Sequence, residues 1–191
     1  MPMGRRAERR RDRQAWQEAR QLRGELLAGR CLLPMTNHAA PCESGEQCFG
    51  VVPALYSRFV TETAQAAERN TVAAGSAGFV AAVMTLESWA QGSRIRRARR
   101  QAQPQWRAHE AIRAAVTDRR LWCGCERGWL QFDYLALAGF EVDLPGRSVI
   151  LSFPDIAPLR LWGPWIPWLA VALASQLGEH RLRQPDLSGL D

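Results

Sequence analysis

The chain holds no lysine, only three histidines, and no glycine loop of the Walker or dinucleotide type. Without such a loop there is no ready cradle for nucleotide phosphates. His38, His109 and His180 each fall near an element end or in a loop, and no Ser or Cys stands beside them in a recognisable nucleophile elbow. Paired carboxylates for general acid and base work are scarce too, because Asp133, Glu141 and Asp143 alternate on what should be a solvent face. No enzyme and no cofactor are predicted. The apolar core of a secretory leader is also missing, since residues 1–13 are dominated by Arg. Export is therefore not expected, and the five cysteines are expected to be reduced thiols in the cytoplasm rather than a disulfide framework.

What is there suits one real core with appendages. The chain has 191 residues, of which 47% are hydrophobic, and eight are Trp. All 25 cationic side chains are Arg and the net charge is +6. That balance favours an acidic partner, either nucleic acid or an anionic membrane face. The exclusive use of Arg reads as a compositional habit that needs no ligand to explain it.

Residues 1–30 form a basic helix by composition, with Ala15, Ala19, Leu22, Leu26 and Gly29 as a thin stripe at helical spacing. Only two of these are bulky, so the helix is expected to be largely solvated or to dock by one edge. Gly29 is a plausible stop. Residues 31–45, with Pro34, Asn37, Pro41, Ser44 and Gly45, read as a linker or irregular arm. A first strand is expected at about 48–60, with Pro53 forcing a bend or an edge position. An apolar-basic helical insertion is expected over 61–107.

From residue 109 the period changes to two. Ile112, Ala114 and Val116; Leu121 and Cys123; Leu130, Phe132 and Tyr134; Phe140 and Val142; Val149, Leu151 and Phe153; and Leu159 with Leu161 form apolar sets separated by turn signals. Six short strands result, over 109–162. A closing helix follows over 164–178, with Ile166, Leu169, Ala170, Leu173, Ala174 and Leu177 on one stripe, and 184–191 is a tail.

A first strand distant in sequence, six further strands and a final helix is the order of a pleckstrin-homology-like (PH-like) domain. The segments VTDRRLWC (116–123), GWLQFDYLALAGFEVDL (128–144), SVILSF (148–153) and LRLWGPWIPWLAVALA (159–174) resemble bacterial PH-like proteins. The resemblance covers residues 109–178 well, the strand near 48–60 loosely and the first 45 not at all. It implies an α+β fold, a seven-stranded antiparallel β-barrel or sandwich closed by the C-terminal α-helix, spanning 46–183, and a binding module as its use. The basic pair that binds phosphoinositides between the first two strands has no match here, so no family binding residue is carried over.

Residues 71–90 are long enough to span a bilayer and are followed by Arg residues, but a crossing would separate the first strand from the rest of the sheet, so a buried or sheet-docking helix is expected, with a re-entrant or membrane-surface element as the alternative. Arg94, Arg96, Arg97, Arg99 and Arg100 are the candidate lipid- or anion-binding residues. Trp122, Trp129 and Trp162, outward by alternation, are candidate partner-interface anchors. His38, Cys42 and Cys48 lie close together, and Cys123 and Cys125 would have to complete a zinc set. Their spacing is poor for zinc knuckles, and Cys-Gly-Cys on a strand turns both thiols to one face, so core thiols and no metal are expected. The expected function is a non-catalytic adaptor acting through protein contacts or at the anionic inner membrane surface. The alternative is Arg-dependent nucleic-acid binding.

Overall fold

The computed structural model describes residues 3–60, 105–178 and 185–190. The chain divides into two units, Met1–Arg58 with Ala108–Asp191, and Phe59–Arg107. In the second, the rings of Phe59 and Trp106 meet edge to face at 5.2 Å.

The first unit is α+β. Helix α1 spans Met3–Leu27, and seven strands follow: β1 Cys48–Val60, β2 Gln105–Thr117, β3 Arg120–Cys125, β4 Gly128–Asp133, β5 Gly139–Asp143, β6 Ser148–Ser152 and β7 Leu159–Trp162. Helix α2 spans Ile166–Leu177. The sheet runs in the order β4-β3-β2-β1-β7-β6-β5. Its pairings are antiparallel, with Val116 opposite Leu121, Phe140 opposite Leu151 and Tyr56 opposite Leu161.

The expected closure into a barrel or sandwich is not met, because β4 and β5 end the order as free rims. The chain leaves β4 through a 3-10 turn, Tyr134–Ala136, and enters β5 without pairing to β4. The Phe132 ring of β4 lies 5.7 Å from that of Phe153, the residue after β6. Strand β2 begins at Gln105, so it takes residues that the sequence assigned to the insertion.

Alternation delivers the core almost as read. Ile112, Ala114, Val116, Leu121, Cys123, Phe132, Tyr134, Phe140, Val149, Leu151, Leu159 and Leu161 form one buried cluster with the six stripe residues of α2. Val142 and Phe153 pack against it partly buried, and Leu130, on the rim strand β4, is 43% exposed. Pro53 does not mark an edge: β1 lies between β2 and β7. The β7 pairing starts only at Leu55, so the missing N–H of Pro53 falls where that neighbour is absent.

Helix α1 docks by its stripe. Ala15 and Ala19 are fully buried, and Ala19 packs with Val171, Leu144 and Leu190, with Trp16, Leu22 and Leu26 at the margin. Small residues let the helix backbone come close, and the Arg147–Asp12 ion pair at 2.8 Å ties its flank to the sheet. The helix stops at Gly29, whose φ of +80° is costly for other residues, with the Arg30 amide donating to Glu25 O at 3.0 Å.

Candidate functional site

The arm of residues 31–45, read from composition as a linker, starts with Leu32 against the main core and continues to the sheet face turned away from it. Ala40 and Cys48 pack there with Ala115 and Trp122, and Cys42 and Trp129 border the cluster. Consecutive residues of β3 therefore serve opposite faces, Trp122 under the arm and Cys123 in the core.

The β2–β3 hairpin supplies the anchor. Thr117 Oγ1 accepts from the amides of Arg119 and Arg120 at 3.2 and 3.0 Å, which closes the turn. Its hydroxyl donates to Glu46 Oε1 at 2.7 Å, and the Trp122 indole N–H donates to the same oxygen at 3.0 Å. Glu46 Oε2 accepts the Glu43 amide at 2.9 Å, in a turn where Gly45 takes φ +80°. None of the Glu46 side chain is exposed. Burial alone would raise its carboxyl, but the bonds from Thr117, the Glu43 amide and Trp122, with the Arg120 charge, hold it below the ordinary carboxylate range.

Arg120 completes the set. Its two terminal nitrogens meet both oxygens of Glu43 at 2.9 and 3.1 Å, a bidentate pair, and Nη1 also donates to Gln131 at 2.9 Å. Its Nε lies 3.0 Å from Asp133 and 3.7 Å from Glu46. The guanidinium also sits over the Trp122 ring, 5.5 Å from its centroid. Alongside, Asp118 and Gln47 exchange two hydrogen bonds, at 2.9 and 3.1 Å. A surface hollow of about 560 Å³ opens next to this cluster, lined by Asp118, Arg119, Arg120, Asp133, Leu135 and Ala136.

Along the same arm, one donor atom each from His38, Cys42 and Cys48 lies within 4.8 Å of the other two. His38 Nδ1 is 3.9 Å from Cys42 Sγ and 3.2 Å from Ala40 O. Burial, and then the Glu46 carboxylate, push the Cys42 thiol up to about 11, and burial raises Cys48 as well. Cys123 and Cys125 belong to the core side of the sheet, where burial raises both thiols, so they cannot complete this trio.

The three tryptophans have different fates. Trp122 faces away from the core as expected, yet the arm leaves it only 7% exposed, which removes it as an open anchor. Trp129 is half-buried against Gly124, where an added Cβ would come within 2.9 Å of its ring. Trp162 is half-buried, edge to face with His109 at 5.2 Å and 5.8 Å from the Arg160 guanidinium. Arg94, Arg96, Arg97, Arg99 and Arg100, His180 and the apolar segment 71–90 lie outside the described residues. Among the described residues no helix is long and apolar enough to cross a membrane.

Sequence reasoning missed Glu43, Glu46, Thr117 and Arg120 as one cluster. Their separations of up to 77 residues leave no local signal, apart from the Thr-x-x-Arg spacing of the hairpin. Compared with known families, curated proteins and solved structures, the chain matches none.

Proposed function

We propose that the chain is a cytoplasmic, non-catalytic binding module of PH-like architecture, working through protein contacts or at an anionic inner membrane surface. Seven antiparallel strands followed along the chain by the covering α2 helix support the architecture, as an open sheet rather than a closed barrel. The observation that carries the binding is the docking of α1. Its small-residue stripe is consumed against α2, and the opposite third of the helix is outward, with Arg10, Arg13 and Arg20 interleaved with Gln14, Gln17 and Gln21. This face presents Arg charge to an extended anionic surface rather than a pocket to a small molecule, while the Gln14 and Gln21 amides donate along the helix to Glu18 and Glu25 at 2.9 and 3.0 Å. The charged groups around Arg120 are engaged with one another in holding the arm, which supports a structural use for them.

The same face favours nucleic acid as a second reading, because among the described residues of α1 the one strongly exposed bulky apolar side chain is Leu27, at the helix end, which is little to enter a bilayer. The test is a triple Arg10→Gln, Arg13→Gln, Arg20→Gln variant of the full chain. Co-sedimentation with phosphatidylserine vesicles and retention on duplex DNA are followed across a salt series. Wild type is expected to bind anionic but not neutral vesicles, with roughly 10-fold or greater loss in the variant, at about 1 kcal/mol per Arg near headgroups. Steep salt-dependent DNA retention without vesicle binding selects the second reading. Binding to neither polyanion, or a variant that binds as well as wild type, overturns the α1 assignment.

A further inference from the structure

We propose that His38, Cys42 and Cys48 form a Zn²⁺ site that clasps the arm to the start of β1 and leaves one coordination position open. Three features carry it: the donor set, its spacing and its support.

One imidazole and two thiols are the ligand types that zinc selects, and two thiolates neutralise the ion. In a tetrahedral site with Zn–S about 2.3 Å and Zn–N about 2.0 Å, donor atoms stand roughly 3.6 to 3.8 Å apart. The separation of Cys42 Sγ from His38 Nδ1 is 3.9 Å and every pair is within 4.8 Å, so side-chain shifts of about 1 Å or less bring the three onto one ion, with Nδ1 giving up its 3.2 Å contact to Ala40 O and the imidazole proton on Nε2. Nothing in the amino-acid spacing alone would gather them: three residues separate His38 from Cys42 and five separate Cys42 from Cys48.

The arm is held independently of any ion. Cys42 N donates to Ala40 O at 2.9 Å, Glu46 N donates to Glu43 O at 3.0 Å, and the buried Glu46 carboxylate fixes the same loop to Thr117 and Trp122. The ligands are therefore positioned by a surrounding hydrogen-bonded shell, which lowers the ordering cost of binding. Glu46 and Asp118 lie near enough to Cys42 to act on its thiol by charge, and a negative field favours a cation. Cys48 is 1% exposed, while His38 and Cys42 are half-buried, so the ion would be reached from the arm side, where water or a donor from a partner fills the fourth position.

The site is tested on the full reduced chain, stripped with chelator and titrated with Zn²⁺, then with Co²⁺ as an optical probe. One equivalent of Zn²⁺ should be retained through gel filtration. Co²⁺ should give thiolate charge-transfer bands with tetrahedral d–d intensity, bleached by Zn²⁺. A hundredfold excess over Kd should raise the melting temperature by about 5 °C or more. Cys42→Ser and His38→Gln, both at half-buried positions, should each weaken binding at least tenfold, while Cys31→Ser, an exposed thiol of the same arm, should leave it unchanged. Near-wild-type melting of the metal-free variants shows that a loss of binding is not a loss of folding. Retention of less than half an equivalent, a Co²⁺ spectrum without thiolate bands, or equal effects of Cys31→Ser and Cys42→Ser overturns the site. So does a chain in which Cys42 and Cys48 pair as a disulfide on purification and, once reduced, takes up no metal.

Discussion

Glu46 illustrates how one buried carboxylate can fix a segment that lacks regular structure. It satisfies the Thr117 hydroxyl, the Trp122 indole and the Glu43 amide at once, and it faces the mostly buried Arg120. Glu46→Ala strands those donors in a dry environment and leaves Arg120 with less compensation, a loss expected to cost about 3–5 kcal/mol in urea denaturation. The pH dependence has a definite sign. A carboxyl held below its ordinary 4.5 when folded contributes stability that is present above 4.5 and is lost as pH falls through the lower folded value. Wild type should therefore lose melting temperature on acidification below 4.5 more steeply than Glu46→Gln, which has no proton to take up there. Equal slopes for the two proteins would remove Glu46 from the account.

Much of this residue-level detail is illegible in one dimension. Thr117-Asp118 reads as a turn, but the Glu46 carboxylate that accepts the Thr117 hydroxyl lies 71 residues earlier, next to a stretch that Pro, Asn, Ser and Gly mark as irregular. Composition announces that the backbone of 31–45 forms no ladder; it does not announce what the side chains hold. Cys123 and Cys125 were placed on one face correctly, because strand alternation is local. His38, Cys42 and Cys48 come together through turn geometry, which spacing does not encode.

Among elements, the helices and strands were readable because their apolar periods are strong. The α2 stripe from Ile166 to Leu177 is buried as spaced, and the β1 bounds coincide with the expected 48–60. Closure of the sheet was not readable, since it depends on whether β4 and β5 pair, and the 3-10 turn at Tyr134 decides that. Helix α1 is the element whose role depends most on residue size. Ala15 and Ala19 are fully buried on the docking side, so Ala19→Leu forces three extra carbons into the seam with Val171 and Leu144. The expected cost is about 1–3 kcal/mol. It should appear as faster amide exchange along α1 while the β3 amides keep their protection. Uniform loss of protection in both elements would mean that α1 is integral to the cooperative core rather than docked on it.

For the whole molecule, the distribution of charge and the strand order matter more than any single contact. All the cationic charge behind the net +6 is Arg, and the outward third of α1 shows several of them in an array, while Arg120 at the β2–β3 hairpin is paired with Glu43, Glu46 and Asp133. Low ionic strength should therefore strengthen association with polyanions without altering the fold, since screening acts on exposed charges first.

The central place of β1 also decides where this chain tolerates a cut. Its neighbours on both sides, β2 and β7, come from beyond residue 104, so residues 1–60 form a plug and residues 105–191 form its socket. Two separately encoded pieces, divided between β1 and β2, should recombine into a stoichiometric heterodimer when co-expressed, with the arm, β1 and α1 all helping the smaller piece find its slot. The larger piece alone should aggregate, because its sheet is split down the middle between β2 and β7.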